Sequence, residues 1–153
     1  MFLNFLKFYL FLFILTPLSL FSQNWINSAG GNFNDESYDV EVDAQGNIYT
    51  TGYVTGNSVF SSTLNLQTNG FSDIYVSKSD ANGNALWSFY GIAEYDDRGM
   101  AVTTDVNDNI YLCGQFSDTL IFAGNQHNNT IYNAGLLVKL DPNGDWNKRL
   151  FRN

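Results

Sequence analysis

The sequence predicts an all-β fold of short antiparallel strands, and three observations carry that reading. The composition favours turns, with 13 Gly and 20 Asn against 2 Pro, and Phe, Tyr, Val, Ile and Thr supply strand formers between them. Of 153 residues, 44% are apolar and only 14% charged, which excludes a disordered acidic tail and is about one domain's length. The third observation is that the chain repeats itself. A shift of 62 residues superimposes Trp25 on Trp87, Asp35 on Asp97, Val40 on Val102, Asp43 on Asp105, Asn47-Ile48-Tyr49 on Asn109-Ile110-Tyr111, Gly52 on Gly114 and Phe60 on Phe122. With one residue deleted the match runs on, Lys78 onto Lys139, Asp80 onto Asp141 and Asn82-Gly83 onto Asn143-Gly144, so the unit is about sixty residues long.

The elements follow in chain order. Residues 1–22 carry one charge, Lys7, an apolar run over 8–15 and Pro17 before small residues, the pattern of a secretory signal peptide cleaved after Ser22. The run is too short to span roughly 30 Å of hydrocarbon, so no membrane span is expected after cleavage. The remaining region, 23–153, opens with a lone strand over 24–29 that carries Trp25, followed by two units of about 38–91 and 100–153. In the first unit strands are expected at 38–42, 47–54, 73–79 and 85–90, with a long polar connection over 55–70; in the second, at 100–104, 109–116, 135–140 and 145–151. The turns between them read Asp43-x-x-Gly46-Asn47, Asp80-x-Asn82-Gly83-Asn84, Asp105-x-Asn107-Asp108-Asn109 and Asp141-x-Asn143-Gly144-Asp145. Four consecutive hairpin-linked strands per unit describe a β-propeller blade, about two of which are present as a partial propeller.

The runs D-x-x-G-N-I-Y-x-x-G (Asp43 to Gly52), D-x-x-x-N-I-Y-x-x-G (Asp105 to Gly114) and K-x-D-x-N-G-N-x-x-W (Lys78 to Trp87) resemble the SBBP, or seven-bladed β-propeller, repeats of exported bacterial proteins. The resemblance implies a secreted or cell-surface repeat protein, and in that family such repeats often sit in long secreted chains. Two blades cannot close a ring that needs at least four. Missing blades of a longer product, or a homo-oligomer, are therefore expected to complete it.

Chemistry is sparser than architecture. One cysteine, Cys113, rules out an intrachain disulfide, and one histidine, His127, rules out a His-pair metal site. A net charge of −8 repels a nucleic-acid backbone. The Asp-led turns evoke calcium loops but lack the distal bidentate Glu, so turn chemistry is expected there and no cofactor is assigned, calcium being the one weak candidate. A second acidic group, Asp35, Glu36, Glu94, Asp96 and Asp97, lies in connections expected at the face opposite those turns and forms the candidate binding face. The expected function is a non-catalytic module for a polysaccharide or protein partner, with a propeller hydrolase or lyase using Asp35, Asp96 and Asp97 as the alternative. Trp87 is expected to pack between blades, Cys113 to be a small buried hydrophobe, and His127 to be a loop residue.

Overall fold

Among the described residues an aspartate leads each of four turns of one kind, and its carboxylate closes them. In the first, Gly46 N–H donates to Asp43 C=O at 3.0 Å, while Asp43 Oδ1 accepts from the backbone N–H groups of Gln45 and Asn47 at 3.0 and 2.8 Å. The turns led by Asp80, Asp105 and Asp141 repeat these bonds. The left-handed position is filled by Gly46, Gly83 and Gly144 at φ 83°, 80° and 85°, but by Asp108 at φ 60° in the third turn, a conformation Asp tolerates better than most residues.

The chain's computed structural model describes residues 24–61, 64–68, 71–128 and 134–145. The expected signal segment 1–22 and nearly all of the expected strand 145–151 lie outside the described residues. Among the described residues there are twelve strands: β1 (Gly30–Gly31), β2 (Glu36–Val42), β3 (Ile48–Val54), β4 (Asn57–Ser61), β5 (Leu64–Gln67), β6 (Asp73–Ser79), β7 (Ala85–Ile92), β8 (Arg98–Thr104), β9 (Ile110–Phe116), β10 (Thr119–Phe122), β11 (Asn125–Asn128) and β12 (Ala134–Leu140). They form antiparallel sheets in the orders β11-β10-β7-β6-β3-β2, β12-β9-β8 and β1-β4-β5, none of which closes on itself. Among the described residues no helix is long and apolar enough to cross a membrane.

Strands β2, β3, β6 and β7, at the positions expected for the first unit, lie side by side, but β10 and β11 from the second unit extend the sheet beyond the expected four to six. The register sets rows across this first sheet. One face carries Val42, Ile48, Ser79 and Ala85 in one row and Val40, Thr50, Ser77 and Ser88 in the next. Residues on the opposite face, including Tyr49, Ile74 and Val76, pack against Val102, Ile110, Leu112, Val138 and Leu140 of the β8-β9-β12 sheet, and together they make the main core. Asp39 ties the two sheets by accepting from Val102 N–H at 2.9 Å.

Four expectations need correction. The polar connection over 55–70 contains the hairpin β4-β5, and the corresponding stretch of the second unit forms β10-β11, where His127 pairs with Leu120 rather than sitting in a loop. Cys113 is exposed, whereas Thr51, its match 62 residues earlier, is fully buried. Both point to the same side of their sheets, but the second sheet covers that side of the first, while Leu137 beside Cys113 stays 63% exposed. Residues 24–29 form no strand. Instead Trp25 Nε1 donates to Ala81 C=O at 3.1 Å and Asn27 donates to Gly83 C=O, so this segment clamps the Asp80 turn. Trp87 is partly buried in the main core, 6.1 Å from Tyr49 and 5.2 Å from Phe89 between ring centroids.

Candidate functional site

Antiparallel hairpins put the Asp-led turns at one end of the sheets and the connections at the other, and the connection end holds the acids singled out from the sequence. Three aspartates act there as closers. Asp35 accepts from Thr55 N–H at 2.8 Å, Asp73 from Ala93 N–H at 3.1 Å and Asp97 from Ser117 N–H at 2.9 Å, each reaching 20 residues ahead to pin the end of its own hairpin. Asp73 and Asp97 are fully buried.

Asp35 and Asp97 occupy matched positions yet differ in their second oxygen. Asp35 Oδ2 accepts from Gly31 N–H, four residues back, at 2.6 Å. The N–H four residues before Asp97 belongs to Ala93 and is already committed to Asp73, so Asp97 Oδ2 is buried without a partner. Burial, against the Ser117 bond and with the charges of Asp73 and Asp96 nearby, pushes the Asp97 carboxyl up to about 7. A group sealed in this way cannot meet a substrate.

The remaining acids are distributed. Asp96 is exposed, accepts from Ser72 Oγ at 2.7 Å, and lines an open groove of about 400 Å³. Glu36 is exposed and accepts from the Tyr53 hydroxyl; burial and that bond raise the tyrosine's pKa. Glu94 is exposed beside Asp118 and Thr119 in a different depression. The groove that holds Asp96 is walled by Phe33, Tyr53, Phe71 and Arg98, whose guanidinium lies 5.2 Å over the Tyr53 ring. Phe33 and Phe71 are 67% and 69% exposed there. Sequence reasoning missed these aromatics and Arg98. It also missed Asp73, whose only signal is its place seven residues before a turn aspartate, close to the eight that separate Asp35 from Asp43 and Asp97 from Asp105.

At the turn end the carboxylates meet donors rather than open space. Asp43 Oδ2 accepts from Asn47 Nδ2 at 2.8 Å and Tyr49 OH at 3.0 Å. Burial raises its pKa, but the Asn47, Tyr49 and Gln45 bonds outweigh that and hold it below the usual carboxylate range. The Asn109 side chain is the chief cause holding Asp105 down to about 2, and Asn84 likewise lowers Asp80. Among the described residues no three His, Cys, Asp or Glu side chains gather as metal ligands. A scan against protein-family models finds no match, and a search of curated proteins finds none either.

Proposed function

We propose that this chain is an exported, non-catalytic binding module of stacked β-propeller-type blades, and that its connection end holds a polysaccharide. The groove between Phe33, Phe71 and Tyr53 carries the reading. Exposed rings offer flat apolar platforms, while Asp96, Arg98, Asn32 and Asn34 around them present planar hydrogen-bonding groups. The blade reading, on the pattern of the SBBP repeats, is supported by the run β2-β3-β6-β7 within the six-stranded first sheet and by hydrogen bonds that recur at positions 62 apart, Asp35 to Thr55 and Asp97 to Ser117. Export rests on the signal-like segment 1–22. Against a hydrolase, the described residues lining the groove include one carboxylate, Asp96, where glycoside hydrolysis needs a pair.

The test is retention of the chain, expressed from residue 23, on insoluble cellulose, xylan, mannan and chitin. Binding to at least one is expected, and Phe33→Ala combined with Phe71→Ala should weaken it about tenfold or more, equivalent to roughly 1.4 kcal/mol. Retention on none of them, or turnover of a chromogenic glycoside that Asp96→Asn abolishes, would overturn the reading.

A further inference from the structure

On the face of the first sheet that turns away from the core, Val40 and Val42 of β2 stay exposed, but the neighbouring β3 and β6 positions turn polar. The counterpart of this face in the second sheet is an apolar surface in which Ile110, Leu112, Val138 and Leu140 are fully buried. At the matched positions the first sheet carries Ile48, Thr50, Ser77 and Ser79, so three of four aliphatic side chains are replaced by hydroxyls while the backbone register is kept. Thr50 Oγ1 and Ser77 Oγ lie 2.7 Å apart, and Ser37 bonds Tyr75 OH. Ser88, opposite Ser77, has a buried hydroxyl oxygen with no partner.

The hydroxyls of Ser37, Thr50, Tyr75, Ser77 and Ser79 line a cavity of about 200 Å³ together with Trp25, Asn27 and Phe60. Trp25 is held by its bond to Ala81 and remains 44% exposed. Among the described residues no Lys or Arg lines the cavity, which disfavours an anion. Its two carboxylates are already engaged, Asp35 by Thr55, Ser58 and Gly31, and Glu36 by Tyr53, so it is not an ion site either. A hydroxyl both donates and accepts, which matches a ligand that is itself made of hydroxyls. The volume is below the roughly 300–1,000 Å³ of pockets for drug-sized ligands and suits a short length of a chain that runs on beyond it.

We infer that the cavity between Trp25 and the Thr50-Ser77-Ser79 floor is a second ligand site, separate from the connection-end groove, and that it takes a neutral oligosaccharide. The ring of Trp25 covers one sugar face and the row of hydroxyls pairs with the edge.

The probes are cellohexaose, xylohexaose and mannohexaose, titrated into the chain expressed from residue 23, with binding followed by calorimetry and tryptophan fluorescence. At least one should bind with a Kd of about 1 mM or tighter. Thr50→Leu with Ser77→Val installs the second sheet's chemistry, and Trp25→Ala removes the wall independently should the first variant fold poorly. Each should weaken binding tenfold or more when it is introduced into the Phe33→Ala, Phe71→Ala background, in which the connection-end groove no longer contributes to the titration. The inference fails if the Phe33→Ala, Phe71→Ala background binds no probe, or if either cavity variant, Thr50→Leu with Ser77→Val or Trp25→Ala, binds as that background does. It also fails if sedimentation shows a dimer that Trp25→Ala weakens, since a second copy would then cover the face.

Discussion

Matched positions in the two units share a backbone and differ in surroundings. Leu112 and Val138 stand where Thr50 and Ser77 stand 61 or 62 residues earlier, in the same register, yet the first pair is fully buried against a neighbouring sheet and the second floors an open cavity. Asp97 and Asp35 close their hairpins with the same bond, yet one has a stranded oxygen in the core and the other a second N–H donor. The difference teaches that the turns and closing aspartates define each hairpin, while the neighbour decides what each face and each carboxyl becomes.

The largest expected effect breaks the comparison on its apolar side. Leu112→Ala removes a fully buried side chain from the main core and should cost about 2–5 kcal/mol in urea unfolding, whereas Thr50→Ala should cost less than about 1 kcal/mol. Equal costs would mean that the two faces are not opposed.

The next effect is set by pH. An unfolded aspartate ionises near 4, while folded Asp97 keeps its proton up to about 7. Between these values the unfolded chain binds fewer protons, so Asp97 makes stability fall as pH rises from about 4 to about 7, with the full loss present above that. Asp97→Asn keeps the shape without the charge. It should remove this decline and stabilise the chain at pH 8 by on the order of 3 kcal/mol; a variant no more stable than wild type at pH 8 would contradict the burial of a stranded carboxyl.

Acid acts on the opposite end of the hairpins and with the opposite sign. Asp43, Asp80 and Asp105 have folded pKa values below the unfolded one, Asp105 at about 2. Their contribution is present above about pH 4 and is lost as pH falls toward about 2. Thermal melting between those pH values should show a drop that Asp105→Asn reduces. The smallest effect sharpens the turn comparison: Asp108→Gly gives the third turn the residue its three counterparts have at positive φ and should raise stability by about 0.5–1 kcal/mol.

How much of this was legible in the sequence follows from where the information sits. The turns were readable because Asp, Asn and Gly at fixed spacing are the residues those backbone conformations demand, and β6 spans 73–79 as expected. The hairpins β4-β5 and β10-β11 were not, since stretches such as Asn125–Asn128 are short and polar and owe their pairing to neighbours rather than to propensity. The sequence puts Asp35 and Asp97 in a candidate binding face because the backbone N–H groups that they pin 20 residues ahead leave no letter in it. Cys113 was misplaced for a related reason. Alternation tells which side of a strand a residue is on, but not whether a sheet covers that side.

The most direct measurement exchanges the two faces. Thr50→Leu with Ser77→Val gives the first sheet the second's residues, and Leu112→Thr with Val138→Ser does the reverse. Comparing urea unfolding of both double variants with the wild type, the account predicts that the first changes stability by less than about 1 kcal/mol and that the second loses at least about 4 kcal/mol or fails to fold. Losses of the same size in both would show that the two faces have equivalent surroundings and would contradict the account.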